Sequence, residues 1–150
     1  MIKRIVLTLC IASQSSFSQT ILESTFPPIE SFQEDEWFQL RLHYGPFNAS
    51  YASFSLVSDS LNNKSVFHAK GFGETTGIAR WFFKVEDYYE SYFDKETGLP
   101  YKFIRDINEG GYTKKIEIDF DHYKATALVN DKKRGEINEF TIQNGVQDLI

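Results

Sequence analysis

Cysteine is almost missing from this chain. The single one, Cys10, lies inside an apolar run, Ile5 to Ala12, that follows the basic start Met1-Ile2-Lys3-Arg4. A small and polar stretch, Ser13 to Gln19, comes next. Basic end, apolar middle and small-residue exit are the layout of a secretory signal peptide. Residues 1–18 are read as one, with cleavage near Ser18 or Gln19. The apolar run is too short to span a bilayer, which takes about 20 apolar residues, so no membrane span is expected once this segment is removed. Leu9 stands where a lipid-modified cysteine needs a small residue, which argues against acylation of Cys10. Without Cys10 the mature chain has neither a disulfide framework nor a thiol nucleophile, and its core must come from apolar packing. The expected location is exported, in the periplasm or cell envelope.

Basic charge is also in short supply. The chain carries 16 Lys and Arg against 21 Asp and Glu, a formal net charge of -5. Losing Lys3 and Arg4 would leave 14 against 21, or -7. That balance, without a basic stripe, argues against nucleic acid and an anionic membrane surface as partners. Nucleophile-elbow, phosphate-loop and dinucleotide signatures are lacking too, so no cofactor is expected. Histidine is scarce: His43, His68 and His122 stand alone on separate segments. In Asp119-Phe120-Asp121-His122, alternation sets the carboxylates on one face and the imidazole on the other, which keeps them from converging on a metal.

Aromatic residues are abundant, at 16%. The chain of 150 residues argues for one domain. Residues 19–36, with Pro27-Pro28, read as an extended lead-in, and residues 37–150 as a single β-rich domain. From Trp37 the apolar period is two: Phe38, Leu40, Leu42 and Tyr44 alternate with polar residues, as in a half-buried strand. Further strands are expected at 49–58, 64–71, 85–93, 101–108, 112–121, 124–129 and 136–142. Gly71 to Gly77 reads as a loop, and Ile78 to Lys84 as either a helical turn or the start of a buried strand. Asp94 to Gly98 and Glu109-Gly110-Gly111 carry turn chemistry. Turn signals recurring about every ten residues predict a mainly β fold, an antiparallel meander forming a strongly curved sheet or open barrel with little helix. Val146 to Ile150 reads as a helix just beginning with no stop signal, so the domain is expected to be incomplete at its C-terminus.

Three segments carry a family resemblance: HYGPFNASYASF, TTGIARWFFKVEDYYESYFDKETGLPYKFIRDINEGGY and KKIEIDFDHYKATALVNDKK. The chain from about Trp37 to Ile150 resembles exported Bacteroidetes proteins of the domain of unknown function family 3108. The resemblance implies a signal peptide, an antiparallel β domain loosely similar to lipoprotein-carrier folds, and continuation past Val146-Gln147-Asp148. It implies no activity and no site residue.

The block Trp81 to Tyr112 is the densest in rings. Ligand pockets are apolar hollows with a few fixed polar groups. Trp81, Phe83, Tyr88 and Tyr92 are therefore taken as candidate lining residues, with Arg80 and Arg105 as candidate holders of an anionic head group. The plainer alternative is that the rings fill the core and Arg105 pairs with Asp87. The leading expectation is a binding or carrier module for an apolar or lipid-like small molecule. The alternatives are a non-enzymatic envelope protein that docks a protein partner, and an acid–base hydrolase using Glu86, Glu90 or Glu109.

Overall fold

The computed structural model describes residues 32–150. The expected signal peptide and most of the expected lead-in lie outside the described residues. Eight strands form one antiparallel sheet in strict sequence order: β1 (Trp37–Tyr44), β2 (Phe47–Leu61), β3 (Lys64–Thr75), β4 (Val85–Asp94), β5 (Pro100–Glu109), β6 (Tyr112–Asp121), β7 (Thr126–Asp131) and β8 (Glu136–Thr141). The sheet is an open meander, with β1 and β8 as its two edges. Among the described residues no helix is long and apolar enough to cross a membrane.

Local chemistry explains the turns. Asn62 and Asn63 both take positive φ, 50° and 65°, so Leu61 and Lys64 pair across a two-residue hairpin. After β4, Asp94 Oδ1 accepts the N–H groups of Glu96 (3.0 Å) and Thr97 (2.8 Å), and its Oδ2 accepts the Tyr101 hydroxyl at 2.8 Å. Burial alone would push the Asp94 carboxyl up, but these hydrogen bonds outweigh it and hold the group below the usual carboxylate range.

Three expectations need correction. The stretch Gly71 to Thr75 is strand, not loop: Gly71 sits against Phe54, whose ring would lie 3.3 Å from a Cβ there. Glycine in that strand marks close side-chain approach rather than a turn. The following residues form α1 (Gly77–Phe82), a short helix with no buried residue. Val146 to Ile150 form no helix. That segment instead crosses one face of the sheet, where side-chain contacts replace helical hydrogen bonds. The half-burial expected of β1 also fails. Phe38, Leu40 and Leu42 are all exposed, because an edge strand has a neighbour on one side only.

Register sorts the side chains into two faces, since paired residues in a ladder share a face. One face carries the cross-strand rows Leu56, Ala69, Ser91, Phe103, Ile118 and Val129, and Phe54, Gly71, Tyr89, Arg105 and Ile116. Its buried cluster is Leu56, Phe67, Ala69 and Phe93, with Phe32 packed edge-on to Phe67 and Phe93 at 6.4 and 5.6 Å. Ile107 and Ala127 are buried on the same face. The opposite face carries Lys70, Glu90, Ile104, Glu117 and Asn130 in one row and His68, Tyr92, Lys102 and Asp119 in the next.

Candidate functional site

The apolar face is the candidate site. The chain from Gln147 to Ile150 runs across it and divides it into three adjoining hollows. One, of about 320 Å³, lies among Phe32, Phe38, Phe54, Leu56, Phe93 and Ile150. The second, about 380 Å³, is floored by Ala52, Gly71 and Gly73 beside Asp87, Tyr89 and Leu149. The third, about 370 Å³, lies over β5 to β8 among Phe103, Ile118, Phe120, Val129 and Phe140. Each falls within the roughly 300–1,000 Å³ range of ligand pockets.

Polar groups enter this face at Asp87, Ser91, Arg105, Glu109, Lys114 and Asp131. Ser91 Oγ donates to Asp148 Oδ2 at 2.5 Å, and Asp148 Oδ1 accepts the Ile150 N–H at 3.0 Å. Burial pushes the Asp148 carboxyl up against those two hydrogen bonds. Asp87 is likewise pushed up by burial; the Asn108 N–H counteracts this and nearby Glu109 adds to it. The Arg105 guanidinium lies over the Tyr89 ring, 5.9 Å from its centroid. Its Nε is buried with no hydrogen-bond partner among the described residues. The expected alternative pairing of Arg105 with Asp87 is not formed as a hydrogen bond; Asp87 Oδ1 accepts the Asn108 N–H instead, at 3.2 Å.

The candidate residues named from sequence are not gathered together. Arg105 faces the apolar side, whereas Tyr88 and Tyr92 project from the other: Tyr88 against Phe72 at 4.6 Å and Tyr92 stacked on His68 at 3.9 Å. Trp81 and Phe83 belong to the short helical connection and are exposed, Trp81 to 88%. Phe83 covers Gly110, where positive φ and the ring together leave no room for a side chain. Arg80 is tied to Glu86 and Glu74 and donates to the Thr75 carbonyl. Tyr89 and Phe103, counted only among the general run of rings in the sequence, do face the hollows or their floor. A strict period-two split of Tyr88-Tyr89 and Tyr92-Phe93 is the signal that separates them. Ser91 and Asp148 carried no signal of their own, being a small strand residue and a residue of the expected helix.

The opposite face is an ion-pair lattice. His68, 4% exposed, stands between two carboxylates, with Nδ1 3.2 Å from Asp59 and Nε2 2.8 Å from Glu90. Lys102 and Lys132 both reach Glu117, at 3.6 and 3.1 Å, and the Lys132 hydrogen bond is the main cause holding that carboxyl below its usual range. Lys84 and then Arg80 do the same for Glu86. Glu86 and Glu90 lie on this face and Glu109, paired with Val85, on the other, so these glutamates make no acid–base pair. Among the described residues no group of three His, Cys, Asp or Glu side chains is arranged to hold a metal ion.

The fold thus defines an open, two-faced antiparallel β-meander domain. The model of the family described as protein of unknown function (DUF3108) matches residues 39–150, and the chain belongs to that family. No curated protein and no solved structure matches it.

Proposed function

We propose that this protein is an exported, non-enzymatic binding or carrier module that accommodates an apolar, lipid-like molecule on the apolar face of its sheet. The observation that carries this reading is the row of three adjoining hollows on that face. An ordinary core would be closed by a second layer. Among the described residues the cover is Phe32 and the strand-free segment Gln147 to Ile150. The opposite face, laced with ion pairs, is suited to water.

Two measurements test the reading. Native purification followed by organic extraction and mass spectrometry should return a recurrent apolar compound. A neutral fluorescent apolar probe should bind saturably at one or a few sites. An empty protein that also ignores the probe would remove the proposal.

A second reading has its own observation. Both edge strands are exposed and carry apolar residues, Leu40 and Leu42 on β1 and Ile137 and Phe140 on β8. Such edges are templates for strand addition, and a cell-envelope partner docked there needs no ligand. Crosslinking in cells from residues of β1 or β8 should then trap one recurrent protein.

A further inference from the structure

The segment that covers the apolar face has a composition of its own. Asp148 presents a carboxylate to the sheet, and the two residues after it, Leu149 and Ile150, present aliphatic side chains to the hollows. It is an acid head followed by a branched hydrocarbon body. The sheet receives the head with one hydroxyl, Ser91 Oγ. Ser91 is 1% exposed, so the carboxylate is met well inside the face rather than at its rim.

A cation stands on the neighbouring strand, and its Nε has no hydrogen-bond partner among the described residues. Arg105 is the diagonal neighbour of Ser91 across the β4–β5 pair, because Tyr89 pairs with Arg105 and Ser91 with Phe103. Diagonal neighbours lie roughly 7–8 Å apart, within reach of a long side chain. The buried Nε of Arg105 lacks a partner among the described residues, and its guanidinium rests on the Tyr89 ring. A buried donor left unpaired costs free energy, and such groups call for an explanation. A fork of donors on a planar guanidinium fits a carboxylate or a phosphate, and a carboxylate is the group that the face already receives at Ser91.

We propose that the face selects long-chain carboxylates: the ligand's carboxylate replaces that of Asp148 at Ser91 and gains Arg105, while its hydrocarbon chain replaces Leu149 and Ile150 in the hollows. The inference rests on the apolar-face reading above and adds the head group to it. Asp148-Leu149-Ile150 is then a displaceable stand-in for the ligand. It lacks the one contact that the free acid makes, the guanidinium, because the backbone fixes where its carboxylate can reach.

The test compares cis-parinaric acid with its methyl ester by fluorescence titration of the purified protein, at concentrations below micelle formation. The wild type should bind the acid at least tenfold more tightly than the ester. Arg105→Gln should abolish that preference, read as the ratio of acid to ester affinity. Asp148→Ala should strengthen acid binding several-fold, since the competing head is gone. The acid–ester comparison on the wild type needs no variant, so misfolding of either variant leaves the proposal falsifiable. Equal binding of acid and ester by the wild type overturns the head-group inference but keeps the apolar-face reading. An Arg105→Gln protein that loses both ligands equally also overturns it, since the arginine would then serve the fold alone. Failure to bind either ligand sinks both readings together.

Discussion

The two faces of this sheet are built from the same strands and the same alternating residues, yet they solve opposite problems. On one, Leu56, Phe67, Phe93, Phe103 and Ile107 bury hydrocarbon, and carboxyl groups are pushed up by desolvation, as at Asp87 and Asp148. On the other, lysines, arginines and hydrogen-bond donors hold carboxyls such as Glu117 and Asp94 down. The lesson is that a single-layer meander can bury hydrocarbon on one face while lacing the other with ion pairs. Among the described residues no second layer of strands or helices covers the apolar face, and the hollows left there are what make it a candidate binding surface.

The comparison breaks most visibly at the buried hydrocarbon. Ile107→Ala, at a site 1% exposed, should cost about 2–5 kcal/mol in urea unfolding. Lys115→Met on the other face deletes the 2.7 Å pair with Asp106, and exposed pairs of that kind contribute no more than about 1 kcal/mol. Similar losses for the two variants would mean that the faces are not energetically distinct.

Next in size is His68, a buried polar residue of the ionic face. His68→Phe should keep a ring against Tyr92 but leave Asp59 and Glu90 without the imidazole between them. A loss of about 1–3 kcal/mol is expected, from the hydrogen bonds left unmade. An unchanged denaturation midpoint would reduce the ring to packing alone.

The smallest effect is in pH. A carboxyl held low in the folded state, such as Asp94 or Glu117, stabilises above its unfolded value of about 4. That contribution is lost as the pH falls through the folded value. A carboxyl pushed up, such as Asp87 or Asp148, acts in reverse: its contribution is full below the unfolded value and is lost as pH rises through the raised one. Stability should therefore rise gently as pH drops from 7 toward about 4, then fall below it. Asp87→Asn should flatten the rise and spare the fall, measured as urea midpoints across that range. An unaltered rise would remove Asp87 from its cause.

All eight strands and their order were legible in the sequence, because alternation and turn chemistry are local. Asn62-Asn63, Asp94 to Gly98 and Gly110-Gly111 each state a turn in the residues that make it. The errors fell where a distant partner decides. Gly71 and Gly73 looked like a loop, but the Phe54 ring needs the space of a missing side chain at Gly71. The aromatic block looked like one lining, but register sends Tyr88 and Tyr92 to one side and Tyr89 and Phe93 to the other. The alternation that splits such a block was itself readable in the sequence; which of its faces would be the apolar one was not, since that depends on the seven other strands.

By itself the sequence determined an antiparallel meander, its turns, and a chain with little chemistry beyond aromatic and acidic side chains. These follow from backbone preference and a period of two, which act over a few residues. Tertiary structure alone decided that Asp148 would meet Ser91, that the Nε of half-buried Arg105 would find no partner among the described residues, and that the last residues would lie across the sheet rather than coil. Those contacts join residues as many as 57 positions apart. They depend on how much apolar surface the finished sheet leaves uncovered, which no local pattern encodes.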